Sequence, residues 1–396
     1  MGWDAILKAE WLGPERARGY LLLLALVNAA TLVFLLVTAR DGIDRNGFLI
    51  GTDFISFWTS GRMLMRGAEV YDTLAHVAAQ REFYTIPGEY TAFFYPPSFL
   101  PFVWPLGLMP YFPALAAWLL VTGAAWLIAM RGWFSALDLK GPAPVLIAAF
   151  PPVIVTLTHG QTSFLVAALL AGGLLLFGRR PWLAGVLIGL ATIKPQLGLL
   201  VPVALLASGQ WRSIVGAGVA AIGLAAFTAF AFGPQVWGDW FTITQTAGSA
   251  ADSGSIGFAK MVSPFAGLRL VGVPSGLAIA LQACVTLGVA AMVAWACWRR
   301  RFTPGMGALV LAGAPLATPF VLDYDLVLSA VPLAYLFARA RADAFENGER
   351  ITIAVVFASV AFARPLAINA GVPIMPLLLA ALFVLVWRRV RREAPV

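Results

Sequence analysis

Apolar positions gather into long runs along this chain, and charged positions fall between the runs rather than inside them. Gly19–Thr38, Ser98–Met130, Ser213–Gly238, Leu270–Trp298 and Phe302–Leu322 carry no charged residue. A bilayer core about 30 Å thick takes roughly 20 apolar residues of helix, so each run is long enough to cross. Shorter runs, Pro144–Thr158, Thr162–Phe177 and Leu326–Ala338, lie between them, and Trp182–Ala207 is interrupted by Lys194. The pattern predicts an all-α polytopic membrane protein, a single integral domain over residues 1–396. The first run is too long for a signal-peptide core and is expected to stay as an uncleaved helix.

Basic residues beside the spans orient the chain, because Lys and Arg collect on the cytoplasmic side. With the N-terminus inside, 18 of the 27 basic residues face the cytoplasm: Lys8, Arg16, Arg18, Arg131, Lys140, Arg179, Arg180, Arg212, Arg299, Arg300, Arg301, Arg339, Arg341, Arg350, Arg388, Arg389, Arg391 and Arg392. This predicts an N-in, C-in protein with about twelve crossings. It has a first external loop over 39–95 and a second over 233–274.

Composition agrees. The chain is 60% hydrophobic and 12% charged, against roughly 25% charged in an average soluble domain. Its net charge of +8 follows from topology, and no basic run interleaved with aromatics suggests nucleic acid. Two cysteines in one apolar run and two distant histidines suggest neither a disulfide framework nor a metal site.

Ionisable residues inside membrane segments are costly and mark function by default. Lys194 splits its run into arms of about 12–13 residues, roughly 20 Å of helix each, so it is expected to lie below the outer surface. Asp323 and Asp325 sit at the outer end of a similarly short hairpin. A structural Lys–Asp pair and a cationic contact to an anionic head group are both open for Lys194. Asp53 opens a segment in which Phe54, Phe57, Trp58 and Leu64 recur at helical spacing, predicting an amphipathic helix on the outer membrane face. Asp53 suits a helix N-cap and equally a catalytic base. Arg62 is expected to face lipid or phosphate. Tyr95, before Pro96 and Pro97, suits an interfacial anchor or a substrate contact. His159 and Gln161 sit at a hairpin tip as candidate ligand contacts, and Lys260 is the best head-group contact of the second loop.

These residues occur in an order that resembles a known family. Asp53-Phe54, Arg62 to Asp72, Phe94-Tyr95-Pro96-Pro97, Gly160-Gln161, then Ala184-Gly185, Gly189-Leu190-Ala191 and Lys194-Pro195 resemble glycosyltransferase family 87. Its members are polyprenyl-phosphate-mannose-dependent alpha-1,2-mannosyltransferases of the GT-C fold. The resemblance is clear over 53–211. It implies a bacterial inner-membrane enzyme, expected as a monomer, that acts on the periplasmic side without a metal or other cofactor. Donor and acceptor would be a polyprenyl-phosphate sugar and a lipid or glycan hydroxyl, with membrane lipids as surroundings. Asp53 would be the general base, and Lys194 and His159 would stabilise the departing phosphate. Relatives often carry a Trp-Asp-His-His-like stretch after a Ser-Pro; here Thr318-Pro319 leads to Asp323, with Tyr324 and Asp325 where histidines are usual. The alternative reading is a lipid or sugar transporter without transfer chemistry, but no internal repeat of the kind common in transporters is visible.

Overall fold

The computed structural model describes residues 8–83, 90–140, 143–252 and 257–393. Among them the regular structure is helical, with only isolated backbone bridges and no strand. Helix α1, Pro14–Thr38, starts on a proline, whose missing N–H would be unsatisfied at a helix start anyway. None of its residues is buried. It packs mainly on the short helices α5 and α6 described below, and the Asn28 amide donates to the Ala148 carbonyl at 2.8 Å.

Helix α2, Phe54–Met65, departs from the sequence expectation. The spacing is amphipathic, yet the helix does not lie on the membrane face: Phe54 to Gly61 are all buried, the polar Ser56, Thr59 and Ser60 included. Its cover comes from several parts of the chain, Tyr111 and Trp118 among them, their rings 5.5 Å from Phe54 and 5.9 Å from Phe57. Helix α3, Thr73–Ala79, packs against it. So does the segment 97–108, which the hydropathy had joined to the following span. Pro101, Pro105 and Pro110 break that run into short turns, because a proline lacks the N–H that a continuous helix requires. Gly61 meets Gly107 there, and a Cβ on Gly61 would lie 2.8 Å from the Gly107 nitrogen.

Helix α4, Tyr111–Ala136, begins after Pro110. Helices α5, Ala143–Ala149, and α6, Pro151–His159, lead to a tight turn at Gly160, then α7, Ser163–Leu176. Helices α8, Pro181–Leu190, and α9, Leu200–Ala207, are separated by 3₁₀ turns on either side of Lys194. Helix α10, Trp211–Phe232, packs closely on α8. Gly185 and Gly189 make this possible, since a Cβ on Gly185 would sit 2.8 Å from the Ala217 nitrogen. Small residues let membrane helices approach in this way, so this part of the family pattern serves packing.

Helices α11, Gln235–Asp252, and α12, Pro264–Leu270, follow, then α13, Ser275–Cys297, and α14, Pro304–Gly313. The chain ends in α15, Ala330–Asp343, α16, Glu349–Ala358, α17, Val360–Ala370, and α18, Met375–Arg392. Among the described residues four helices (α1, α4, α10 and α13) are long and apolar enough to cross a membrane, and the α16–α17 pair, bent by 73°, could make a fifth span. Ser163–Leu176, Pro181–Ile193, Pro195–Ala207 and Pro304–Gly313 are apolar but shorter. The expected twelve crossings count such pieces as spans.

Candidate active site

Asp53 stands at the N-terminus of α2, but its side chain does not cap the helix. The first-turn amides are met by backbone instead: Ile55 donates to the Gly51 carbonyl and Ser56 to the Asp53 carbonyl, both at 3.2 Å. The carboxylate is therefore released for another use. Backbone bonds from Gly51 and Asp53 to the carbonyls of Thr158 and His159, at 2.9 and 3.1 Å, tie this segment to the α6 tip.

Gly160 ends α6 in the left-handed conformation, with φ at 66°, which favours glycine. The turn carries Gln161 to Asp53, and Gln161 Nε2 donates to Asp53 Oδ2 at 2.7 Å. The amide orientation is set by its other end, where Oε1 accepts from the Thr162 backbone N–H and the Tyr95 hydroxyl, both at 2.9 Å. Asp53 Oδ1 has no partner among the described residues. Tyr95 thus points inward and packs edge-on to Phe57 at 5.1 Å, not outward as an interfacial anchor.

Lys194 is buried between its two turns and binds Asp325, Nζ to Oδ1, at 2.6 Å. Asp325 is fully enclosed. It also accepts from the Ser163 hydroxyl at 3.1 Å and the Leu322 backbone N–H at 3.2 Å. The ammonium lies 5.0 Å from the Tyr324 ring centre. Tyr324 and Asp325, the two positions at which the sequence resemblance led one to expect histidine, therefore both attend Lys194. Buried charges persist when paired and hydrogen-bonded, and this pair meets that condition.

A third group assembles from distant parts of the chain. Met261 pairs with Leu322, and the Val262 N–H donates to the Val321 carbonyl at 3.0 Å. That pairing carries Lys260 to the neighbourhood of Asp323. From α17, Arg364 reaches Asp323 at 3.5 Å, with its own side chain 30% exposed. Sequence reasoning did not single out Arg364. The available signal was its place in an apolar run, toward the end that the charge asymmetry predicts to be external and poor in basic residues.

One cavity of about 1900 Å³ is lined by Asp53, Tyr95, His159, Gln161, Lys194, Lys260, Asp323, Tyr324 and Arg364. His159 Nδ1 donates to the Val155 carbonyl at 2.9 Å, since a carbonyl oxygen only accepts. Trp240 of α11 closes part of the wall and donates to the Phe94 carbonyl at 3.1 Å. Two expected residues stand apart. Asp325 lies behind Lys194, and Arg62 stacks over Trp58 at 4.9 Å without lining the cavity. Among the described residues, no group of three His, Cys, Asp or Glu side chains is placed to hold a metal ion.

A carboxylate with one oxygen free, facing the same space as several cations, can take a proton on one side while negative charge develops on the other. The family model for glycosyltransferase family 87 matches residues 93–319, more than half of the chain. The chain belongs to glycosyltransferase family 87. The match includes Tyr95, His159, Gln161, Lys194 and Lys260 of this glycosyltransferase; Asp53, Asp323, Asp325 and Arg364 lie outside it. No curated protein and no solved structure matches the chain.

Proposed function

We propose that this glycosyltransferase moves a sugar, mannose first among candidates, from a polyprenyl-phosphate donor to a hydroxyl of a lipid or glycan acceptor. The observation that carries the reading is that Asp53, with Oδ1 free, shares one cavity with Lys194, Lys260 and Arg364. Asp53 acts as general base and takes the acceptor proton as the acceptor oxygen bonds to the anomeric carbon. The bond from that carbon to the phosphate oxygen breaks, and its electron pair leaves with polyprenyl phosphate. Gln161, anchored by the Thr162 amide and Tyr95, holds the carboxylate in place. General-base catalysis of this kind requires hydrogen-bond reach to the hydroxyl and contributes typically about 10²–10⁴-fold.

Lys260 and Arg364 take the departing phosphate, with His159 beside them. Preorganised cations of this sort stabilise charge that appears only in the transition state. Lys194 already serves Asp325, so its contribution is to shape the phosphate end and hold Tyr324 in the wall. Asp323 steers Arg364 through the 3.5 Å contact.

Charge asymmetry and family likeness support a location and a topology. We place the protein in a bacterial inner membrane as a monomer with a GT-C fold, N-in and C-in with about twelve crossings, its cavity opening to the periplasm. Family membership favours transfer over transport alone. Membranes holding equal amounts of folded wild type or Asp53→Asn, supplied with radiolabelled polyprenyl-phosphate-mannose, test the proposal. Transfer by wild type that disappears in the variant supports it; equal transfer by both removes Asp53 as the base.

A further inference from the structure

The cavity exceeds what one head group needs. A pocket for one drug-sized ligand measures roughly 300–1,000 Å³, against about 1900 Å³ here. Its wall also changes character. Lys194, Lys260, Asp323 and Arg364 form the charged part. A second part is hydrocarbon: Leu32 and Leu36 of α1, Phe112, Leu115 and Leu119 of α4, and Leu157 of α6. This arm adjoins Asp53, because a Cβ on Gly51 or Gly160 would lie within 3.0 Å of a Leu115 methyl carbon. Both glycines flank the pairing that holds Asp53.

The arm opens sideways. Helices α1 and α4 are both long and apolar enough to cross the membrane, and these residues lie near the C-terminal end of α1 and the N-terminal end of α4, at one level. Leu36 remains 53% exposed and Phe112 45% exposed, so hydrocarbon can reach the arm between the two helices. At its inner end Thr52 lines the cavity beside Asp53.

We propose that the arm binds the acceptor, and that the acceptor is a membrane lipid whose hydroxyl-bearing head group is joined directly to hydrocarbon. This rests on the transferase reading above. In a direct displacement the attacking hydroxyl and the leaving phosphate stand on opposite sides of the anomeric carbon. The base belongs to the hydroxyl's side, so the apolar arm next to Asp53 belongs to the acceptor, while the charged part belongs to the donor. The head group would lie where it presents its hydroxyl to Asp53.

The test uses dodecyl glucoside carrying a diazirine in its chain, added to the full-length protein in lipid nanodiscs and illuminated. Adducts are expected within 32–36 and 112–119, displaced by excess dodecyl glucoside and not by methyl glucoside or polyprenyl phosphate. Adducts confined to outward positions of α1 such as Leu22 and Leu26 would overturn the inference. Displacement by polyprenyl phosphate would also overturn it, by giving the arm to the donor's chain. In the same nanodiscs, transfer from radiolabelled polyprenyl-phosphate-mannose should show a KM about tenfold or more lower for dodecyl than for methyl glucoside, as apolar burial requires. Leu36→Trp and Leu119→Trp should shrink that ratio, and equal KM values in wild type would count against the arm. Arm adducts without transfer to either glucoside strike at the donor-sugar reading and leave the lipid arm supported.

Discussion

Gln161 holds Asp53 by a 2.7 Å bond from its amide nitrogen, and the Thr162 backbone leaves that amide only one orientation. The carboxylate is thereby fixed through one oxygen, with the other facing the cavity. Asp53→Asn should reduce transfer by about 10²–10⁴-fold, the range of general-base contributions. Gln161→Leu should lower kcat with less effect on donor KM, since it releases the base without touching the phosphate end. Initial rates at matched levels of folded protein check both; a donor KM effect alone for Gln161→Leu would reassign it to binding.

Lys194 and Asp325 are a buried pair, and removing one partner strands the other. Lys194→Met or Asp325→Leu alone should destabilise the protein by about 3–5 kcal/mol. The double variant should recover much of that loss, because no charge is left uncompensated. Thermal unfolding in detergent compares the three. A double variant no more stable than either single one would show that the pair does not behave as a coupled unit.

Among the described residues Arg364 has one ion-pair partner, at 3.5 Å, and it lines the cavity. Arg364→Gln should raise donor KM by about tenfold or more, as expected for loss of a charge-assisted bond of about 1.5–3 kcal/mol. Lys260→Gln should act in the same direction. An unchanged donor KM in both would move the phosphate site elsewhere in the cavity.

His76 of α3 lies apart from the cavity, buried under α2. Its Nδ1 is 3.2 Å from the Gln80 amide nitrogen and its Nε2 3.5 Å from Ser60 Oγ. Burial lowers its pKa from 6.5 to about 4, although the Val70 carbonyl and Asp72 oppose the shift. Between those values the unfolded chain takes up a proton that the folded one refuses. This group therefore contributes full stability above pH 6.5 and progressively less as pH falls to about 4. Unfolding temperatures measured across that window should fall with pH, and His76→Gln should flatten the slope. An identical slope in the variant would assign it to other groups.

Gly61 faces backbone at Gly107 with no side chain free to yield. Gly61→Ala should cost about 1–3 kcal/mol as an overpacking change. Loss of protection from proteolysis in the 97–108 segment would report the displaced cover; unchanged unfolding would mean the two segments separate without penalty.

The membrane class and helical content were legible in the sequence because they depend on composition and on the length of apolar runs. Both are properties of a chain read in order. That Lys194 needs a partner was legible too, since a charge that interrupts an apolar run is costly to leave alone. Most of the residues that face one another were also within reach, because few polar groups interrupt the apolar runs. What they do to each other was not. Whether Asp53 caps α2 or turns to Gln161 depends on which backbone carbonyls reach the first turn, and those come from Gly51 and from Asp53 itself. Whether α2 lies on lipid or within protein depends on the prolines that fold 97–108 over it. Lys194 meets Asp325 across 131 residues of chain, and Arg364 meets Asp323 across 41. Hydrophobicity is a local property and can be read locally. The pairing of charges is set by tertiary distance, and only the folded structure decided it.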